Sequence, residues 1–507
     1  MIISTKVLKE TITEIALPLS HVFNLSFTTG SFPTQMKIAK VVPVFKNGDP
    51  HMLTNYRPIS ILPAFSKLIE KIMHTRLYHF FDSNEIFYKH QYGFRKKHST
   101  IHPVMHLIKD TVTSNDKRTK DLTIATFLDL SKAFDTVSHD ILLTKLHYYG
   151  VRGIANEWFR SYLNDRRQYT HVHNCTSSMK SLSCGVPQGS ILGPLLFLIY
   201  VNDISHASDL KILSFADDTT IVASGRDLNR TIEIANVELN NLATWLQENR
   251  LSLNINKTNC LIISPPGKYI DPRISVSING HHITRITKTN SNNGVKFLGI
   301  VLDEHLSWNK HIDYLCIKLS RAIFAINIAK NVFTFSALLT LYYALIESQL
   351  TYGISIWGSG SAIPRLEKLQ KRAIRTIFKL PYRAHCDPLF KRHNILKLGD
   401  HYKLNLASLG FDYKNHLLPR SFVDFYTIHD PTTTTRQRNN IRHATPRTNF
   451  SKQSVYHMIP FVWNDIPQDL QTLPSRRLFK NKYKTMLLSG YQSVVNCTNV
   501  YCKQCNP

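Results

Sequence analysis

The sequence predicts a mixed α+β fold, on three observations. Short apolar, β-prone runs recur in its first half: Leu210–Ala223 reads as a hairpin with two acids at its tip, and Leu122–Leu128 as a buried strand. Beyond residue 309 the pattern turns helical, with Ile312, Leu315, Leu319, Ile323 and Ile326 forming one apolar stripe of the kind that fills a helical bundle core. At 507 residues the chain is also too long for one core, so roughly two to four domains are expected.

Taken in order, residues 1–36 carry Val7, Leu8, Ile12, Ile15, Leu19, Val22 and Phe23 at helical intervals, with Pro18 as the expected interruption. Lys37–Lys46 is strand-like, Asn47-Gly48-Asp49-Pro50 is a turn, and Asn55–Leu62 is a second extended segment. Lys46 and Arg57 thus stand at the ends of adjacent strands. Such a pair suits a triphosphate, although charge beside an ordinary hairpin looks the same. Residues 64–82 form a helical block. Gln91-Tyr-Gly-Phe-Arg-Lys-Lys-His-Ser99 is a basic loop with an aromatic on each side of its glycine, a combination that stacks on bases and also occurs at plain loop ends. The buried run ends at Asp129 and turns toward a helix containing Ile141, Leu142 and Leu146, with Asp135 expected as a helix cap or structural acid. Cys184–Pro194 is dense in Gly and Pro around a single Gln188 and leads into the apolar segment Leu195–Val201, which suggests backbone shaped for close approach to a ligand.

Asp217 and Asp218 are the chemical centre of this pattern. Adjacent carboxylates held by strands repel one another, and a hard divalent cation with oxygen ligands relieves that repulsion; a solvated hairpin tip is the plainer alternative. If the 122–128 strand pairs beside the hairpin, Asp129 approaches both. Three carboxylates are enough for two metal ions in a phosphoryl-transfer site.

The formal charge of +27 and pI near 9.7 favour a polyanionic partner, with nucleic acid first. More than half of that charge lies beyond residue 360, in segments such as Lys368–Arg375 and Arg476–Lys484. No apolar run approaches the ~20 residues that cross a bilayer, and the start lacks a secretory leader, so an intracellular protein without a membrane partner is expected. The eight cysteines are scattered and expected as thiols.

Phe127-Leu-Asp-Leu-Ser-Lys-Ala-Phe-Asp135, Gly185-Val-Pro-Gln-Gly-Ser190 and Phe215-Ala-Asp-Asp218, in that order, resemble the signature motifs of a reverse transcriptase of non-LTR (LINE-type, jockey-like) retrotransposons. Asn55–Ser60 and Gln91–Arg95 resemble its fingers motifs, and Leu253–Thr258 and Lys296–Ile300 its late palm motifs. The resemblance runs from about residue 37 to 303 and continues more weakly beyond. It implies a right-hand polymerase: a helical extension at 1–36, fingers and a palm with antiparallel sheet at 37–303, a helical thumb-like region at 304–385, and a basic, mainly helical region at 386–507.

The implied activity is RNA-directed DNA polymerisation, with an RNA template, a DNA primer or target, deoxynucleoside triphosphates and two Mg2+ ions. Asp129, Asp217 and Asp218 would hold the metals, and Lys257 would protonate pyrophosphate. Lys46, Arg57, Phe134 and Gln188 would bind the incoming nucleotide, with Phe134 rejecting a ribose 2′-hydroxyl unless it is simply core. Gln91, Phe94, Arg95 and Gly189 would meet template and primer. The nucleus is the location the family implies. Two other readings stand beside this one: a catalytically silent nucleic-acid-binding remnant of such an element, and an RNA-dependent RNA polymerase, against which Phe134 argues. No endonuclease domain fits ahead of residue 37, so the target nick would come from elsewhere or the chain is part of a larger element. Asp430–Asn440 reads as a flexible connection before a small last region containing Trp463. The terminal Cys497, Cys502 and Cys505 have a spacing suggestive of Zn2+ and resemble the remnant of a family Cys/His cluster; a fourth ligand is absent nearby, so Zn2+ is a less favoured cofactor here.

Overall fold

The protein, seen in a computed structural model, is described over residues 5–265, 267–287, 294–428, 440–442 and 445–491. Cys497, Cys502, Cys505 and nearly all of the 430–440 connection lie outside the described residues. Eight strands position the site: β1 (Ile38–Phe45), β2 (Tyr56–Ile61), β3 (Leu122–Leu128), β4 (Arg167–Val172), β5 (Lys211–Phe215), β6 (Asp218–Gly225), β7 (Asn259–Ile263) and β8 (Thr284–Arg285).

The central five-stranded sheet has the order β8-β7-β3-β6-β5, with β3 antiparallel to both neighbours. Its strands alternate between two cores. Ala125, Leu213, Val222, Leu261 and Ile263 face one that extends through the later helices. Ile124, Ile212, Ile221, Cys260 and Ile262 face another, built with the helices Ala64–Ser83, His139–Tyr148, Gly193–Tyr200 and Leu228–Glu248. Burial on both faces explains why these strands read as continuous apolar runs. At roughly 1.5–3 kcal/mol per buried Leu or Ile, this double layer fixes the register of the acid-bearing hairpin.

A second sheet begins β2-β1-β4, with β1 antiparallel to β2 from Lys40↔Ile61 to Phe45↔Tyr56 and parallel to β4. Its far ends carry Lys46 and Arg57. At the N-terminus the helical break falls at Thr11, and the helix Ile12–Thr29 runs through Pro18. Proline removes one backbone donor there, and packing holds the helix nonetheless: Trp158 Nε1 donates to Ser26 Oγ at 3.0 Å.

The apolar stripe of the helix Asn309–Ala329 is buried at all five expected positions and packs with the helix Ile363–Ile377. The later chain then returns to the first half along an aromatic seam. His102 and His106 lie edge-on to Phe422, with ring centres 5.1 and 4.7 Å apart. Tyr92 Oη donates to Ser421 Oγ at 3.1 Å, Lys109 Nζ donates to the Asp424 carbonyl at 2.9 Å, and Arg420 pairs with Glu85. Among the described residues no helix is long and apolar enough to cross a membrane, and Cys175, Cys184, Cys260, Cys316 and Cys386 are free thiols.

Candidate active site

The hairpin turn is set by β5 and β6, which close on the pair Phe215↔Asp218 and leave Ala216 and Asp217 as a two-residue loop. Ala216 takes φ 58°, a conformation costing roughly 1–3 kcal/mol in a residue with a Cβ. Gln91 holds it there. Its Oε1 accepts the N–H groups of both Ala216 and Gly93 at 2.9 Å, and Tyr92 N donates to the Ser214 carbonyl at 2.8 Å. Gly93 must be glycine, because a Cβ would lie 2.3 Å from Ala216 N.

The third acid arrives through strand register. Leu128 pairs with Thr219, so the next residue, Asp129, stands opposite Asp218. Past that point Leu130–Ser131 pairs with Ser252–Leu253, Asn254 N donates to the Asp129 carbonyl at 2.8 Å, and Asp129 N meets Thr258 Oγ1 at 3.4 Å. This clasp brings Lys257 into the same cleft.

The cleft measures about 1020 Å3 and is bounded by Lys46, Arg57, Asp129, Phe134, Asp135, Gln188, Asp217 and Lys257, among others. Partial withdrawal from water and the charge of Asp129 push the Asp217 carboxyl up, while Arg57 and Lys46 pull it down. Withdrawal from water, then the charges of Asp217 and Asp129, push Asp218 up to about 6. The three acids and two bases therefore share one electrostatic field. Among the described residues, however, no three His, Cys, Asp or Glu side chains already stand at metal-holding spacing. The expected tight convergence of the three carboxylates is thus not seen among the described residues; what is seen is Asp129 following the Leu128↔Thr219 pair, with its charge acting on both Asp217 and Asp218.

The Gly185–Gly189 loop is zipped to the segment after Asp129. Gly185 N donates to the Val137 carbonyl, Val186 N to the Phe134 carbonyl, and Gln188 Nε2 to Asp135 Oδ1 at 3.0 Å. Of the two expected roles for Asp135, helix cap or structural acid, the second holds: it is a wall of the cleft, the helix His139–Tyr148 begins after Ser138, and burial raises the Asp135 carboxyl. The Phe134 ring stacks on Phe197 with centres 4.5 Å apart, which holds it against the cleft. Beneath the loop lies Glu70, fully buried, which sequence reasoning missed. Its carboxylate accepts Ser66 Oγ at 2.9 Å, Ile191 N at 2.8 Å and Leu192 N at 3.3 Å, while burial pushes its pKa up.

Of the four residues expected at template and primer, only Phe94 offers its side chain to solvent, 53 % exposed and edge-on to Phe134. The two polar side chains are engaged within the protein. Gln91 is 3 % exposed and spends its amide on the acid turn. Arg95, with its side chain 12 % exposed, donates to the Tyr88 and Gln91 carbonyls at 3.1 and 3.3 Å and lies over the Phe87 ring, so it anchors its own loop. Gly189, at φ 123°, presses on β2, where a Cβ would come within 2.4 Å of the Ser60 carbonyl.

The field around the acids has a sign that a pH titration reads. A folded-state pKa raised from 3.8 to about 6 means that Asp218 stabilises the metal-free fold only while protonated, so its contribution is full below about 4 and lost as pH rises through about 6. In chelator, wild-type stability to urea is expected to fall across that window, and Asp218→Asn to flatten the fall. Equal slopes for both proteins would show that the crowding is absent.

The family profile described as reverse transcriptase (RNA-dependent DNA polymerase) matches residues 44–302, just over half of the chain and all of the cleft's acids. The probable RNA-directed DNA polymerase from transposon BS of Drosophila melanogaster is 30% identical over 401 residues, 75% of this chain and 42% of that protein. The RNA-directed DNA polymerase from mobile element jockey of the same organism is 26% identical over 401 residues, again 75% of this chain and 42% of the relative. The chain thus spans well under two thirds of these relatives' length. A match that runs from the strand bearing Lys46, through the acid turn, to the segment after Lys257 places the chain in the reverse transcriptase family.

Proposed function

We propose that this chain is the polymerising part of a non-LTR retrotransposon protein, extending a DNA primer with deoxynucleotides on an RNA template. The reading rests on one observation above all: Asp129 emerges beside the Asp217–Asp218 turn, and Asp129 and Asp217 line one cleft together with Lys46 and Arg57. The fingers would be the β1–β2 sheet with the helix Ala64–Ser83, the palm the central sheet, and the thumb the helices from Asn309 onward.

The donor set at the turn is all carboxylate oxygen, which fits a hard cation, and members of this family work with divalent metals. Two Mg2+ ions held by Asp129, Asp217 and Asp218 would supply the positive charge that activates the primer hydroxyl and offsets the phosphates. The chain's own residues do the rest. Lys46 and Arg57 grip the triphosphate from the β1–β2 end, and Gln188, fixed by Asp135, lies against the nucleotide. Lys257 faces the same cleft, poised to give a proton to departing pyrophosphate. Phe94 stacks on the template or primer as its most exposed aromatic neighbour.

Phe134 sets the sugar. Because Phe197 backs its ring, Phe134 cannot swing away from an added 2′-hydroxyl, and the clash rejects ribonucleotides. The test is primer extension on an RNA template with Mg2+. Wild type is expected to incorporate labelled deoxynucleotides and refuse ribonucleotides, and Phe134→Ala to admit ribonucleotides on the order of tenfold or more better, the size of a lost steric contact. Absence of any extension by wild type would favour the silent, nucleic-acid-binding remnant.

A further inference from the structure

We propose that the groove between the helices Asn309–Ala329 and Ile363–Ile377 binds unpaired RNA, separately from the polymerising cleft. The groove encloses about 450 Å3 and shares no lining residue with that cleft. Lys330, Arg372, Arg375 and Lys379 line it, and among its described lining residues there is no acid. Arg372 and Arg375 lie one turn apart on the helix Ile363–Ile377, and Lys379 follows just past its end, so three cations stand in succession along this side. Arg375 is pre-set, because its Nε donates to the Ala384 carbonyl at 2.7 Å.

Two aromatics identify the ligand's form. Phe324 is 66 % exposed and Tyr382 81 % exposed, and both line the groove together with the cations. The buried stripe of the 309–329 helix already satisfies its apolar side, so Phe324 is not needed for that core. Cations alone would grip any phosphate backbone, paired or not. Rings interleaved with cations match a strand whose base faces are open, since a duplex hides those faces in its own stack. Unpaired RNA is the occupant because, resting on the reading above, the template is the long single strand that the reaction presents.

The experiment measures binding of labelled, unstructured polyuridine RNA by anisotropy, with a short hairpin primer–template saturating the cleft. The full chain is compared with the triple variant Arg372→Glu, Lys379→Glu and Tyr382→Ala, and with Tyr382→Phe. These positions are on the surface, so the fold is retained. Loss of one stacked base and two cation contacts is expected to weaken RNA binding at least about tenfold in the triple variant. Tyr382→Phe is expected to bind as wild type does, and extension of the hairpin to continue at the wild-type rate in all three. Unchanged RNA affinity in the triple variant would overturn the proposal. So would an equal loss of blunt-duplex binding, a loss confined to unpaired DNA, or a matching loss of hairpin extension, which would make the groove part of the catalytic grip. A wild type that binds RNA through the groove but extends nothing would instead sink the polymerase reading alone.

Discussion

Asp217→Asn is expected to lower primer extension by about a thousandfold or more while leaving the fold intact. The amide keeps the size of the side chain and removes one charge from the three that would hold the metals. A cation that has lost a carboxylate ligand supplies several kcal/mol less transition-state stabilisation, and each ~1.4 kcal/mol is tenfold in rate. Stability should move the other way. In chelator Asp217 is pushed up by withdrawal from water and by Asp129, so a neutral amide relieves repulsion, and resistance to urea should match or exceed that of wild type. Wild-type extension by this variant would remove the two-metal assignment. Lost activity with a collapsed fold would instead make the turn merely structural.

Glu70→Ala should be the most damaging change to the fold among residues outside the cleft. It leaves the N–H groups of Ile191 and Leu192 and the Ser66 hydroxyl without their acceptor in a largely buried site, at a cost of roughly 2–5 kcal/mol. Those N–H groups begin the turn into the Gly193–Tyr200 helix, directly after Gln188 and Gly189. The Gln188 wall should therefore loosen as well. Glu70→Gln offers an amide oxygen to the same N–H groups and should cost under about 1.5 kcal/mol. Urea midpoints and extension rates of the two variants, side by side, check the assignment; equal losses would mean that shape, not acceptance, is what Glu70 provides.

The strands and the acids were legible because their signal is local. Alternation and apolar runs mark β3, β5 and β6, and Asp129, Asp217 and Asp218 sit where those runs stop. Register then needed only that β3 pair beside the hairpin. The props were not legible. Gln91 and Arg95 look like ligand-facing polar residues in a basic loop, and only the fold reveals that Gln91 faces Ala216, 125 residues away, and that Arg95 turns back on its own loop. Glu70 lies in an ordinary amphipathic helix, 121 residues from the N–H of Ile191, with nothing nearby to distinguish it from a solvated acid. For Asp135 the local pattern leaves cap and structural acid open, and its partner Gln188, from a different loop, decides for the second. Pro18 misled in the opposite direction, since packing on Trp158 carries the helix past it.

The Tyr92–Ser421 hydrogen bond joins positions 329 apart, and Tyr92 is the immediate neighbour of Gln91. During synthesis the acid hairpin therefore leaves the ribosome long before the segment that covers Tyr92, His102 and His106 exists. Such distant closure makes final assembly slow to arrive, because the intervening loop must be ordered first. The neighbours of Gln91 therefore gain their full packing only once the 421–425 segment has been made.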